Sequence, residues 1–130
     1  MEGVFYNCSS LKKIKISPLF KTSNAENMSY MFYACKNLKV LDLSPFETYK
    51  LKNISFMFFH CYSLRKIDLS SFYLNPNCEK YGIFYKCDSL NQVICYDDCI
   101  KELFEIELQR RMKNKQSCVN HIKRKLIILY

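Results

Sequence analysis

Residues 28–44, MSYMFYACKNLKVLDLS, are written again at 54–70 as ISFMFFHCYSLRKIDLS, 26 residues further on. Widening the comparison to 20–44 against 46–70 leaves 11 of 25 positions identical. The cysteines carry the pattern in both directions, since Cys8, Cys35, Cys61 and Cys87 are separated by 27, 26 and 26 residues. Aligned on them, the chain reads FYNCSSLKKIKIS from Phe5, FYACKNLKVLDLS from Phe32, FFHCYSLRKIDLS from Phe58 and FYKCDSLNQVICY from Phe84. Self-similarity at a fixed period is the mark of units that cannot bury their own apolar face and must stack on one another.

Within a unit the order is Cys-x-x-Leu-x-x-(Leu/Ile)-x-(Leu/Ile). Leu38, Leu41 and Leu43, then Leu64, Ile67 and Leu69, fit a short strand with one buried face. Ahead of the strand, Met28, Met31, Phe32 and Cys35 follow the i, i+3, i+4, i+7 spacing of a helix face, as do Ile54, Met57, Phe58 and Cys61. A return segment begins at Phe20, Phe46 or Phe72. The expected fold is an α/β repeat solenoid of leucine-rich-repeat type, with short parallel strands alternating with helical turns and a C-terminal capping helix. Residues 1–96 hold about 3.5 units of 26–27 residues, and 97–130 form a helical cap with a basic tail.

The combination Met-x-x-Met-Phe-x-x-Cys-x-x-Leu-x-x-Leu-Asp-Leu-Ser-x-Phe-x-Thr resembles the BspA-like leucine-rich repeats of bacterial and protist surface proteins. The resemblance covers residues 1 to about 96. It implies a surface-exposed binding or adhesion module with no catalytic role, because a fold does not by itself carry an activity. Phe46 and Phe72 stand where such repeats usually hold an asparagine, so an aromatic ladder is expected along that edge.

The same alignment explains the cysteine content. Eight cysteines in 130 residues would suit a disulfide framework. Four of them are one repeat position sampled four times, and they read as reduced, stacked core thiols. Charge is equally uneven. Of the 20 basic residues, seven lie between Arg110 and Lys125 with no acidic residue among them, leaving 13 basic against 12 acidic elsewhere. The repeats are thus nearly neutral, and nucleic acid is not the expected partner, since no aromatics for base stacking interleave the basic segment. No apolar run of about 18 residues exists to span a membrane.

Met1 aligns inside a unit, Met1 to Cys8 lying over Met28 to Cys35. The expectation is either further units before Met1 or an N-terminal edge covered by a partner. Location follows the same fork: cell surface or secreted for a piece of a longer family member, cytoplasmic for a complete chain. After Cys95 the period stops. Asp97 and Asp98 suit a helix start, and Ile100, Leu103, Phe104, Leu108 and Met112 suit one face of a helix of about four turns. Arg110, Arg111 and Lys113 are expected near its end, charges to solvent. The final SCVNHIKRKLIILY reads as a second helix or a strand. Its Lys123, Arg124 and Lys125 beside Leu126–Leu129 suit a membrane surface or an acidic partner, and the apolar end is too short for a membrane anchor.

Chemistry is sparse. Cys95, Cys99, Cys118 and His121 are the one set that could ring a zinc ion, but the spacing is not that of a finger and Cys95 falls on a strand. No metal, cofactor or catalytic centre is expected. His60 precedes Cys61, which belongs to the core ladder, and no glycine-rich phosphate loop appears. A surface remains. Four positions after each cysteine stand Lys12, Lys39, Arg65 and Asn91; next come Lys13, Val40, Lys66 and Gln92; two further on come Lys15, Asp42, Asp68 and Ile94. Lys12, Lys13, Lys15, Lys39, Asp42, Arg65, Lys66 and Asp68 are the candidate partner-binding residues on the strand face. The function expected is a non-catalytic protein-binding or adhesion module. The alternative is an intracellular scaffold or subunit docking through its open end and basic C-terminal segment.

Overall fold

The computed structural model describes the main chain of residues 1–127 and the side chains of residues 1–118. Three strands, β1 (Val40–Asp42), β2 (Lys66–Leu69) and β3 (Gln92–Cys95), form a parallel sheet in that order, followed by one helix, α1 (Asp98–Ile127). The register repeats the sequence period. Leu41 pairs with Ile67 and Ile67 with Val93, each 26 residues on. Leu41 and Ile67 are buried while their neighbours reach solvent, the period of two that a half-buried strand requires. Isolated parallel bridges outside the sheet join Asn27 to Asn53 and Asn53 to Glu79, again one period apart.

Between the two edges runs a core of stacked rings. Phe5, Phe32, Phe58 and Phe84 follow one another at 5.1, 5.9 and 6.0 Å between centroids. Phe20, Phe46 and Phe72 form a second ladder at 6.0 and 6.3 Å, along the edge where an aromatic column was expected. Each fully buried phenylalanine contributes about 1.5–3 kcal/mol, with about 0.5–1.5 kcal/mol more for each favourable ring pair. Amides do form a column, but elsewhere: the Asn53 Nδ2 group donates to Glu79, Asn27 Nδ2 to Glu2, and both side-chain oxygens accept from the serine amide two residues on.

The segment before each strand is not helical. It is a chain of tight turns: Met31 N–H donates to Met28, Tyr33 to Tyr30, Cys35 to Phe32. Each unit places two residues in the left-handed region, Tyr30 and Ala34 in one, Phe56 and His60 in the next. Gly3 and Asn7, and Gly82 and Lys86, repeat this at the two ends. A left-handed residue costs about 1–2 kcal/mol outside glycine and breaks the i→i−4 helical ladder. In exchange, alternate amides turn outward to the next unit. Met28, Tyr30, Phe32 and Ala34 donate to the carbonyls of Asn53, Ser55, Met57 and Phe59, and the pattern recurs from Ile54 to His60. The i, i+3, i+4, i+7 burial expected of a helix is present, but turns of alternating hand produce it.

Two further expectations change. The segment Ile14–Ile16, aligned with Leu41–Leu43, forms no strand and makes no main-chain hydrogen bond to β1. Its Lys15 stands where Asp42 and Asp68 accept from the amide of a serine two residues on, so this unit lacks the turn that ends the other strands. At the other end α1 is one helix of 30 residues with no break before Ser117. Its packed face is Ile100, Leu103, Phe104, Glu107 and Arg111, while Met112 is exposed. Arg110 and Arg111 therefore lie mid-helix and face the last unit instead of solvent. The structure of the final residues 128–130, and the side chains of His121, Lys123, Arg124, Lys125 and Leu126–Leu129, lie outside the described residues.

Candidate partner-binding face

The candidate face divides into two parts. Lys12, Lys13, Lys15, Lys39 and Asp42 come together around a groove of about 570 Å3, with Ile14, Ile16, Val40 and Pro45 completing its lining. Arg65, Lys66 and Asp68 lie beyond it, on and beside β2. The stacking of units draws the columns: Val40, Lys66 and Gln92 are register partners, as are Asp42, Asp68 and Ile94. Arg65 follows Lys39 because its amide donates to the Lys39 carbonyl.

The two aspartates have a local task. Asp42 accepts from the Ser44 amide and Asp68 from the Ser70 amide, both at 2.9 Å, turning the chain at each strand end. That hydrogen bonding to Ser44, with Lys66 nearby, holds the Asp42 carboxyl below its ordinary range. Lys12, Lys13, Lys15 and Lys39, by contrast, form no ion pair among the described residues.

The core cysteines are placed for cohesion. The Cys35 thiol donates to the Phe5 carbonyl at 3.2 Å, Cys61 to Phe32 at 3.1 Å and Cys87 to Phe58 at 3.0 Å, one unit back each time. Burial raises the Cys35 pKa to about 11 and that of Cys87 to about 12, and pushes Cys61 up as well, so these sulfurs stay protonated and weakly nucleophilic. His60 does not meet the Cys61 thiol. Its ring stacks between Phe59 and Tyr62, and burial followed by the Lys36 and Lys86 charges lowers its pKa.

The zinc set does not assemble. Cys99 and Cys118 are exposed on one unbroken helix, about 28 Å apart at 1.5 Å per residue. Cys95 is half-buried beside Asp97, and His121 lies outside the described residues. Among the described residues no group of three histidine, cysteine or carboxylate side chains is poised to hold a metal ion.

One surface feature escaped the sequence reading. Tyr6, Tyr33, Phe59 and Tyr85 stack along the turn side at 4.8, 5.2 and 5.2 Å, and the Arg110 guanidinium closes the row 4.9 Å from the Tyr85 ring. The signal stood in the alignment, where Phe5, Phe32, Phe58 and Phe84 are each followed by a second aromatic.

Arg110 also pairs with Glu107 and Asp88, and Arg111 donates to the carbonyls of Asp88 and Leu90. These two cations of the basic segment are thus engaged in holding α1 to the last unit.

Stacked units in parallel register, closed by a helix that the last unit grips, define a repeat protein. The chain belongs to the family described as Mycoplasma protein of unknown function, DUF285, whose model matches residues 1–118. The matched stretch runs past the expected boundary at 96–97 and takes in α1 as far as Cys118. No curated protein and no solved structure matches the chain.

Proposed function

We propose that the chain is a non-catalytic binding module, a leucine-rich-repeat solenoid of BspA type that presents its strand face to a protein partner. The observation that carries this reading is the in-register column. Successive units set Lys39 beside Arg65 and Val40 beside Lys66, so that side chains far apart in sequence form one extended array. Solenoids recognise partners through such arrays, and an adhesion role agrees with the resemblance of the repeats to surface-protein modules. Neutralising the first column tests it. The chain and its Lys12→Ala/Lys39→Ala/Arg65→Ala variant are coupled to beads, and their retention on surfaces coated with a panel of purified proteins is compared. A loss of at least tenfold, with an unchanged melting temperature, is expected; equal retention removes this face from the function.

A further inference from the structure

The groove lined by Lys12, Lys13, Lys15 and Lys39 ends on a strand edge that no described residue pairs. In the parallel ladder, Lys39 accepts from the amides of Arg65 and Lys66, and Leu43 donates to Asp68. Residues of odd number on β1 therefore engage β2, and Val40 and Asp42 direct their main-chain N–H and C=O groups the other way, into the groove. No described main-chain group answers them, since residues 12–16 make no hydrogen bond to β1.

The groove has the volume of a ligand cleft, commonly about 300–1,000 Å3. Its lining is also biased. Four lysines face one aspartate, and the carboxylate of Asp42 is already engaged by Ser44.

We propose that this edge receives an acidic, extended segment of the protein partner, which adds to β1 as a strand between Val40 and Ile14. Main-chain bonds to Val40 and Asp42 supply affinity, as in other cases of strand addition. The period of two does the rest. Alternate residues of the added strand turn inward to the layer of Ile14, Ile16 and Leu41 and must be apolar. Those between them turn outward on the side of Lys13 and Lys15, with the exposed Lys12 and Lys39 just ahead of them in the groove, and must be acidic. Edge lysines also keep identical edges apart, so a second copy of this chain is the wrong occupant: it would bring the same lysine cluster against itself. The inference rests on the strand face being the contact surface and names the chemistry of what it contacts.

The probe is a labelled peptide of six residues alternating glutamate and valine, titrated by fluorescence anisotropy against the full chain. Saturable binding that weakens with added salt is expected. It should fall at least tenfold with Lys13→Glu/Lys15→Glu. It should fall as far with Val40→Pro, which removes one outward N–H without touching the β2 ladder. A peptide methylated on alternate backbone nitrogens provides the same test with the protein unaltered, and it too should lose binding. Absence of binding, or binding indifferent to methylation and to Val40→Pro, overturns strand addition. So does self-association of the chain that Val40→Pro abolishes, which would give the edge to a second copy. If the peptide fails while the Lys12/Lys39/Arg65 variant still loses retention on proteins, the groove is refuted and the strand face stands.

Discussion

At the scale of the residue, Cys61 shows how a repeat turns one side chain into a joint. Its thiol is fully buried and donates to a carbonyl of the unit before it. Because burial favours the neutral thiol, the folded pKa lies above the unfolded one. The contribution of Cys35, Cys61 and Cys87 is then whole below the ordinary thiol value near 9 and is lost as pH rises through the folded values, about 11 for Cys35 and about 12 for Cys87. Urea titrations should therefore show stability falling steadily once the pH passes about 9. Cys61→Ser replaces the sulfur with a hydroxyl that can still reach Phe32 but does not titrate. It should cost about 1–3 kcal/mol at neutral pH and shrink the alkaline loss. An alkaline loss of undiminished size in the variant would separate the thiol column from the pH response.

At the scale of the element, the junction between sheet and helix turns on Asp97. One carboxylate oxygen accepts from the Ile100 amide at 3.1 Å and caps α1; the other accepts from the Leu74 amide at 3.0 Å and holds the last return segment. Thr22 and Thr48 do the second job in the units before, accepting from the amides of Glu47 and Tyr73. Asp97→Ala should cost about 1–2 kcal/mol through the cap, with a further loss from the Leu74 amide it leaves unpaired, whereas Asp98→Ala, at an exposed pair with Lys101, should change the melting temperature little. Asp97 as a cap was legible in the sequence, and so were the strands at Leu41 and Ile67, because local pattern and tertiary burial agree there. The turns were not. Met28, Met31, Phe32 and Cys35 have helical spacing, and no glycine marks the left-handed positions at Tyr30, Ala34, Phe56 and His60. Only hydrogen bonds to the neighbouring unit make those positions tolerable, and such bonds leave no mark within one unit. Arg110 and Arg111 misled for a related reason. Their charges read as a solvated helix end, yet a buried Glu107 and two free carbonyls of the last unit call for cations at that place. Of the candidate face, the columns were legible and the groove was not, since Ile14 and Ile16 keep the apolar spacing of the strands they are aligned with.

At the scale of the whole molecule, every ladder keeps one period, and among the described residues each unit bonds to its immediate neighbours. Removing residues 46–71 takes out one complete period of 26 residues and joins Pro45 to Phe72, reproducing the Ser71–Phe72 and Pro45–Phe46 junctions in kind. In the shortened chain β1 would meet β3 with Leu41 opposite Val93, Phe32 would stack on Phe84, and the Cys87 thiol would find the Phe32 carbonyl that Cys61 now uses. The helix keeps its own seat, because α1 packs on the last unit through Phe104 on Phe84 and through Arg110 and Arg111 on Asp88 and Leu90. A stack stabilised by nearest-neighbour contacts should therefore lose one increment of stability and remain folded. A deletion of half that length, starting at the same point, carries the strand of one unit onto the turns of the next and misaligns every ladder at once. Circular dichroism melts decide between the two. The whole-period deletion should give a cooperative transition at a lower temperature, and the half-period deletion none. If both chains melt alike, the period is not what organises the core.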